Sequence, residues 1–240
     1  MKFLSALIFY SLSFLTSNTT DMIELLKSFI KDKDEDKVVS LIIENPEMLD
    51  LNDENGSSGL MIIAYSGFER AIRQAVELKE TFTFHEAIVS GQYSIVKDSL
   101  NHSNADMANT YSVDGFTPLS LASFFNQTEI AELLVSSGAD PNLSAKNASK
   151  VNALHSAVAK ENIQLCKLYI QQGVEVNSVQ TQNVTALHSA VHRGNLELTQ
   201  LLVENGASIN LEMDNGDTAI TIAQREGYSD ILKYLKDKNR

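Results

Sequence analysis

The sequence predicts an all-α solenoid of about seven stacked helix-turn-helix units joined by short, hairpin-like loops. Three observations support this fold class: a recurring alanine, a capping side chain ahead of it, and a glycine that closes the second helix of several units. The alanines recur at intervals of 23, 35, 35, 33 and 33 residues, at Ala64, Ala87, Ala122, Ala157, Ala190 and Ala223. A period near 33 residues is typical of repeats that bury their apolar faces against one another.

Residues 1–20 precede the first repeat. Lys2 and the apolar run over residues 3–15 have the charged start and hydrophobic stretch of a secretory signal, and the run is too short to span a bilayer. However, no Ala-x-Ala site follows, and Met22 opens the first periodic helix. The segment is therefore either a signal peptide or an extension upstream of a start at Met22. We expect a cytoplasmic protein, or a secreted or periplasmic one if residues 1–17 are a cleaved signal.

Residues 21–240 form the predicted repeat domain. The first unit is a helix pair over residues 21–45, split by a charged turn at residues 32–36. The second has helices over about 58–66 and 68–79, and its short spacing predicts that they run into the third, decayed unit without an extended loop. The approximate units are 21–52, 53–80, 81–112, 113–147, 148–180, 181–213 and 214–240.

Helix boundaries are marked by capping chemistry. A Ser, Thr or Asn side chain can accept a hydrogen bond from a free N–H at a helix start, and Pro118 suits the first helical position. Glycine supplies the left-handed conformation that ends a helix. The predicted N-caps are Ser58, Thr117, Asn152, Thr185 and Thr218, and the predicted helix stops are Gly138, Gly173 and Gly206.

Two pairs of segments resemble ankyrin repeats. They are GFTPLSLA at 115–122 with LLVSSGADPN at 133–142, and NVTALHSA at 183–190 with LLVENGASIN at 201–210. The chain thus resembles a bacterial-type ankyrin repeat protein, specifically over about residues 113–235 and more weakly before them. The resemblance implies that Thr and His side chains join neighbouring repeats through hydrogen bonds, as Thr185 with His188 would.

The repeat around His155 departs from this motif, because Asn152 replaces the threonine there. We therefore expect a looser joint after Asn152. Ser120 and Thr221 replace the histidine in the flanking repeats.

The segment ALHSAV occurs at 153–158 and again at 186–191, so two His-Ser pairs could suggest a hydrolase. Adjacent residues on a helix do not face each other, so His155 cannot serve Ser156 as a base. His188 and His192 have a spacing that can chelate zinc, but Ser189 replaces the Glu of the metalloprotease signature. We expect no catalytic, cofactor or metal site; a His/Ser hydrolase or metal-dependent enzyme is the less favoured alternative.

Composition narrows the choice of partner. The net charge of −12 would repel a phosphate backbone, so nucleic-acid binding is not expected. No integral membrane span is expected either, and the single cysteine, Cys166, lies in an apolar helix where it is expected to be a small buried hydrophobe. We expect a monomer that binds another protein.

The resemblance also implies a binding surface on the concave side and the loop tips. Phe116, Val151 and Val184 form an apolar line there, while Phe124 and Phe125 either belong to the surface or cover the seam between helices. An exported protein that modulates a periplasmic or host partner is an alternative use of the same surface. The implied positions are Val113, Asp114, Phe116, Phe124, Phe125, Val151, Ala159, Lys160, Thr181, Gln182, Val184, His192, Arg193, Asp214, Asn215, Asp217, Arg225 and Glu226.

Overall fold

A computed structural model describes residues 21–102 and 106–239 of the chain. Residues 1–20, for which the sequence predicts a signal peptide or an extension, lie outside this part. The regular structure of the described residues consists of fourteen α-helices, three short 3₁₀ turns and two isolated β-bridges. The helices fall into two compact bodies, an N-terminal one that ends at Glu86 and a C-terminal one that begins at Ala87.

The N-terminal body contains α1 to α4 and the start of α5. An apolar cluster that includes Leu26, Ile42, Leu60 and Ile63 forms its core, and these side chains are fully buried. Only residues 79–83 separate α4 from α5, without an extended loop between them. The helices are α1 (residues 21–31), α2 (Glu35–Glu44), α3 (Gly59–Ser66), α4 (Glu69–Leu78) and α5 (Phe84–Val89).

The C-terminal body is a two-layer stack. Helices α7, α9, α11 and α13 pack side by side as an inner layer, and α6, α8, α10, α12 and α14 form the outer layer against them. Each inner helix is followed at once by its outer partner. The bounds are α6 (Tyr93–His102), α7 (Pro118–Phe124), α8 (Thr128–Ser136), α9 (Ala153–Ala159), α10 (Ile163–Gln171), α11 (Ala186–His192), α12 (Leu196–Glu204), α13 (Ala219–Arg225) and α14 (Ser229–Lys238).

Helix ends in this body follow the sequence signals. Thr117, Asn152, Thr185 and Thr218 are the N-caps of the inner helices, and each side chain accepts a backbone N–H of the first turn. Pro118 occupies the first position of α7. Gly138, Gly173 and Gly206 follow the outer helices with φ of 88°, 78° and 91°, which only glycine adopts at little cost.

Cys166 lies in α10 and is fully buried. Burial raises the pKa of its thiol to about 12, so the thiolate form is suppressed. The side chain therefore acts as a small hydrophobe of the core.

The N-terminal body also buries a charged pair that the sequence does not signal. The side chains of Lys79 and Glu86 are 1% and 4% exposed, and Lys79 Nζ lies 3.4 Å from Glu86 Oε1. Lys79 also donates to the carbonyl of Leu49 and pairs with Asp50. Ser58 Oγ donates to Glu86 Oε1 at 2.5 Å, so the N-cap of α3 is tied to the start of α5.

Replacing Glu86 with Ala should strongly destabilise this body, because it leaves a buried ammonium group without its buried carboxylate. We expect the free energy of unfolding, measured by urea denaturation, to fall by about 3 kcal/mol. Glu80→Ala, at an exposed neighbouring position, should change it by less than about 0.5 kcal/mol. Equal losses in both variants would contradict a stabilising role for the buried pair.

Candidate protein-binding surface

The two ALHSAV segments begin α9 and α11 with the same capping arrangement. Asn152 Oδ1 accepts the N–H of His155 at 3.0 Å, and the N–H of Asn152 donates to His155 Nδ1 at 3.3 Å. The corresponding distances for Thr185 and His188 are 3.3 and 3.1 Å. Two otherwise free N–H groups are thus satisfied at each helix start.

The other ring nitrogen of each histidine reaches the following loop. Nε2 of His155 lies 3.1 Å from the carbonyl oxygen of Ser178, and Nε2 of His188 lies 2.9 Å from that of Leu211. Because Nδ1 accepts a hydrogen bond, Nε2 carries the proton and donates. Both nitrogens are therefore occupied by structural bonds. Neither histidine is placed to take a proton from the neighbouring serine.

Both copies make the two cap bonds and the bond to the following loop, but Thr185 Oγ1 also lies 3.0 Å from His188 Nδ1, a contact that the Asn152 copy lacks. Asn152 Nδ2 is in addition buried without a hydrogen-bond partner. The looser joint after Asn152 stays a prediction. In the flanking repeats, Ser120 bonds with Thr117 and Thr221 bonds with Thr218, so these side chains act within their own helix turn.

Burial keeps both histidines neutral. Loss of hydration lowers the pKa of His155 to about 4, against the opposing effect of its backbone hydrogen bonds. Burial likewise lowers the pKa of His188, although the bond to Leu211 and the charge of Asp217 oppose the shift.

Successive loops of the C-terminal body are joined by backbone hydrogen bonds. The N–H of Lys146 donates to the carbonyl of Gly115 at 2.8 Å, and that of Thr181 donates to Ser149 at 3.0 Å. The N–H of Asp214 continues the series by donating to Gln182 at 3.0 Å. We call these four loops, residues 111–117, 145–151, 179–185 and 211–218, the fingers. The fingers and the C-terminal ends of the inner helices form one surface, the finger face.

All the binding positions implied by the resemblance lie at the surface of this body. Half-buried side chains are Asp114, Phe116, Phe125, Val151, Ala159, Val184 and Asp217. Exposed side chains are Val113, Phe124, Lys160, Thr181, Gln182, His192, Arg193, Asp214, Asn215, Arg225 and Glu226.

The structure brings several of these positions together in a pocket of about 260 Å³ on the finger face, next to α11 and α13. Val184, Met213 and Ile222 supply its apolar lining. Polar residues complete the wall, namely His188, Ser189, His192, Asn215, Asp217 and Arg225. Pockets for small ligands usually have volumes of about 300 to 1,000 Å³, so this one suits a single side chain of a partner protein better than a cofactor.

Polar side chains around the pocket contact one another. Arg225 lies 2.5 Å from Asp217 and 3.2 Å from Glu226, and His192 lies 3.9 Å from Glu226. The apolar interior is thus bordered by a polar rim in which one guanidinium is paired with two carboxylates. A polar rim around an apolar centre is common at protein interfaces. Met213 and Ile222 were missed by the sequence analysis, because no feature of the repeat motif marks them.

A second cluster surrounds Phe124. Its ring packs edge-on against that of Phe125, with centroids 5.3 Å apart, and Lys160 Nζ lies 4.4 Å from its centroid. Phe124 is 41% exposed, so it contributes to the surface, whereas Phe125 is half-buried. Which of the two roles left open applies to each ring, binding surface or cover of the seam, stays a prediction.

Comparison with known families agrees with this architecture. Residues 84–179 match a model described as ankyrin repeats in three copies, and residues 154–240 match it again. The chain belongs to the ankyrin-repeat family. The all-α repeat solenoid is thereby confirmed, while the number of about seven ankyrin units and their boundaries stay predictions. Ankyrin repeats are generally protein–protein interaction modules and are typically not enzymes.

Within residues 21–102 and 106–239, no helix has both the length and the apolar character needed to cross a membrane. The same residues hold no group of three or more His, Cys, Asp or Glu side chains placed to bind a metal ion. Among these residues, no third potential metal ligand is therefore placed together with His188 and His192.

Exchanging the two N-caps should separate their contributions to stability. Asn152→Thr removes the unpaired buried amide and keeps a capping oxygen, so we expect the free energy of unfolding to rise by about 1 kcal/mol. The reciprocal change, Thr185→Asn, should lower it by a similar amount. Urea denaturation of both variants tests this, and changes of the same sign would contradict the explanation.

The lowered histidine pKa values predict a pH-dependent stability. The unfolded chain takes up protons below about pH 6.5, whereas folded His155 does so only near pH 4, so stability falls as the pH decreases through this window. The loss due to His155 is at most about 3 kcal/mol. Thermal unfolding measured across the window should show a shallower dependence for His155→Gln. The exposed His192→Gln is the control, and a profile for His155→Gln identical to that of the parent chain would refute the assignment.

Proposed function

We propose that this ankyrin-repeat chain is a non-catalytic interaction module that binds a protein partner through its finger face. The observation that carries the proposal is the pocket lined by Val184, Met213 and Ile222. An apolar pocket with a polar rim suits an anchoring side chain of another protein, because burial of such an anchor supplies much of an interface's binding energy.

The finger face also carries apolar side chains away from the pocket. Val113 is 73% exposed and Phe124 is 41% exposed, although both are large apolar groups. Phe116 and Val151 are half-buried in neighbouring fingers. Apolar groups that successive repeats contribute to one surface are typical of an interaction site. Single exposed apolar residues, by contrast, are common on any protein surface.

The histidine geometry supports a non-catalytic role. Nδ1 of His188 accepts the N–H of Thr185, and Nε2 donates to the carbonyl of Leu211. A general base needs a free nitrogen within reach of the proton it removes. The duplicated His-Ser pair is therefore best explained as a structural element of the repeat. The alternative of an exported protein concerns residues 1–17 and leaves this surface unchanged.

Partner capture by the full chain tests the proposal. Proteins retained by the tagged parent chain are identified by mass spectrometry and then titrated singly against Phe116→Ala and Met213→Ala. We expect about tenfold weaker binding for each variant, since truncating an interface anchor costs one to a few kcal/mol.

Tyr93→Ala is the matched control, because Tyr93 is 39% exposed on the outer helix α6. It should bind as the parent chain does. Thermal unfolding shows which variants are folded. Folded finger-face variants that bind every captured partner with unchanged affinity would place the interface elsewhere.

A further inference from the structure

Three exposed lysines lie in two neighbouring repeats of the finger face. Lys146 and Lys150 belong to the finger at 145–151, and Lys160 follows the last turn of α9. None of the three pairs with a carboxylate among the described residues. We call these three lysines the lysine cluster. It is a local positive surface on a chain whose net charge is −12.

Two of the lysines are held against aromatic rings. Lys146 Nζ lies 3.9 Å from the ring centroid of Tyr111, and Lys160 Nζ lies 4.4 Å from that of Phe124. Such contacts attract the cation to the ring face and restrict where the ammonium group can go. The exposed apolar side chains Val113 and Phe124 belong to the first of the two repeats that carry the lysine cluster.

Other cations of the finger face are already neutralised. Arg193 lies 3.8 Å from Glu161, and Arg225 lies 2.5 Å from Asp217. Carboxylates close to the cluster are engaged too: Glu161, next to Lys160 in the sequence, accepts from Asn195, and Asp114, whose carbonyl bonds to Asn147 in the neighbouring finger, accepts from Ser112. The lysine cluster is therefore the part of this face where an incoming negative charge would find an unmatched cation.

We infer that the lysine cluster, with Phe124 and Val113 beside it, recognises an acidic peptide segment that carries a large apolar side chain. The inference rests on the proposed function and specifies its partner. The carboxylates of the segment would pair with the lysines, and its apolar side chain would cover Phe124 or Val113. Unmatched charge of one sign favours a partner of the opposite sign and excludes basic competitors.

The arrangement also suits an extended segment. The lysines lie on either side of α9, since Lys146 and Lys150 precede this helix and Lys160 is its C-cap residue. A seven-residue helix is about 10 Å long, a distance that about three residues of extended chain cover. Two acidic residues separated by a short apolar stretch would thus reach both ends.

A peptide partner is favoured over nucleic acid or an anionic membrane. Both of those are extended anionic surfaces, and they would also approach the carboxylates that give the chain its net charge of −12. A short segment can pair with the lysine cluster without meeting that wider negative field.

Selection from a peptide library by the full chain is the first test. The library varies net charge and aromatic content independently. We expect the retained peptides to be acidic and to carry a Phe, Leu or similar side chain. Enrichment of neutral or basic peptides would overturn the inference.

Titration of a selected fluorescent peptide locates its site. Lys146→Glu combined with Lys160→Glu should weaken binding about tenfold and reduce its salt dependence. The control carries two charge reversals on the outer helices, Lys167→Glu and Lys233→Glu, so that the net charge changes equally. Unchanged affinity in the lysine-cluster variant, or an equal loss in the control, would refute the assignment.

The remaining outcomes separate this inference from the proposed function. Peptides that depend on Met213 but not on the lysine cluster would refute the inference and leave the proposed function standing. Absence of any bound peptide or protein would count against both. Lysine-dependent binding of phosphatidylserine vesicles or of a single-stranded oligonucleotide, without binding of acidic peptides, would assign the cluster to that other class of partner.

Discussion

The neutral imidazole that joins one repeat to the next is the interaction on which the central repeats depend. In His155 and His188, Nδ1 completes the cap of its own helix while Nε2 holds a carbonyl of the following loop, Ser178 just before one finger and Leu211 at the start of the next. A protonated ring would lose the acceptor at Nδ1, so the cap and the joint both require the neutral form. Burial enforces that form, since it lowers the pKa of both rings.

Hydrogen bonds between fingers explain why variable residues from different repeats become neighbours. Two of these bonds, Thr181 to Ser149 and Asp214 to Gln182, lie beside a histidine joint, while Lys146 bonds to Gly115 where Ser120 replaces the histidine. Fingers connected in this way present their side chains at a regular spacing. The pocket beside α11 is a result, because Val184 and Met213 come from adjacent fingers and Ile222 from the next inner helix.

Sequence predicted the features that depend on local chemistry. The N-caps and the helix-ending glycines can be predicted because each is set by residues a few positions apart, and the period can be predicted because the same residue types recur about every 33 positions. Features formed by distant residues were missed: the buried pair of Lys79 and Glu86 has no motif, and nothing marks Ile222 as part of a pocket. The same holds for the buried bond between Ser123 and Tyr169, whose partners are 46 residues apart. A repeat period predicts which helices are neighbours, but it does not give the direction of individual side chains.

The pocket and the lysine cluster of the finger face differ in how their charges are paired, and this difference bears on the affinity and the selectivity of the proposed interface. Near the pocket, Arg225 is paired with Asp217 and Glu226, so a partner bound there as proposed would gain mainly from covering apolar surface. Such burial is not directional and distinguishes partners poorly. Around Phe124 the cation of Lys160 is not balanced by a carboxylate, and its attraction depends on the sign of the approaching charge. On the proposed function, discrimination between partners would therefore come from the lysine side of the face, whereas the pocket side would supply binding energy to any segment with a suitable anchor.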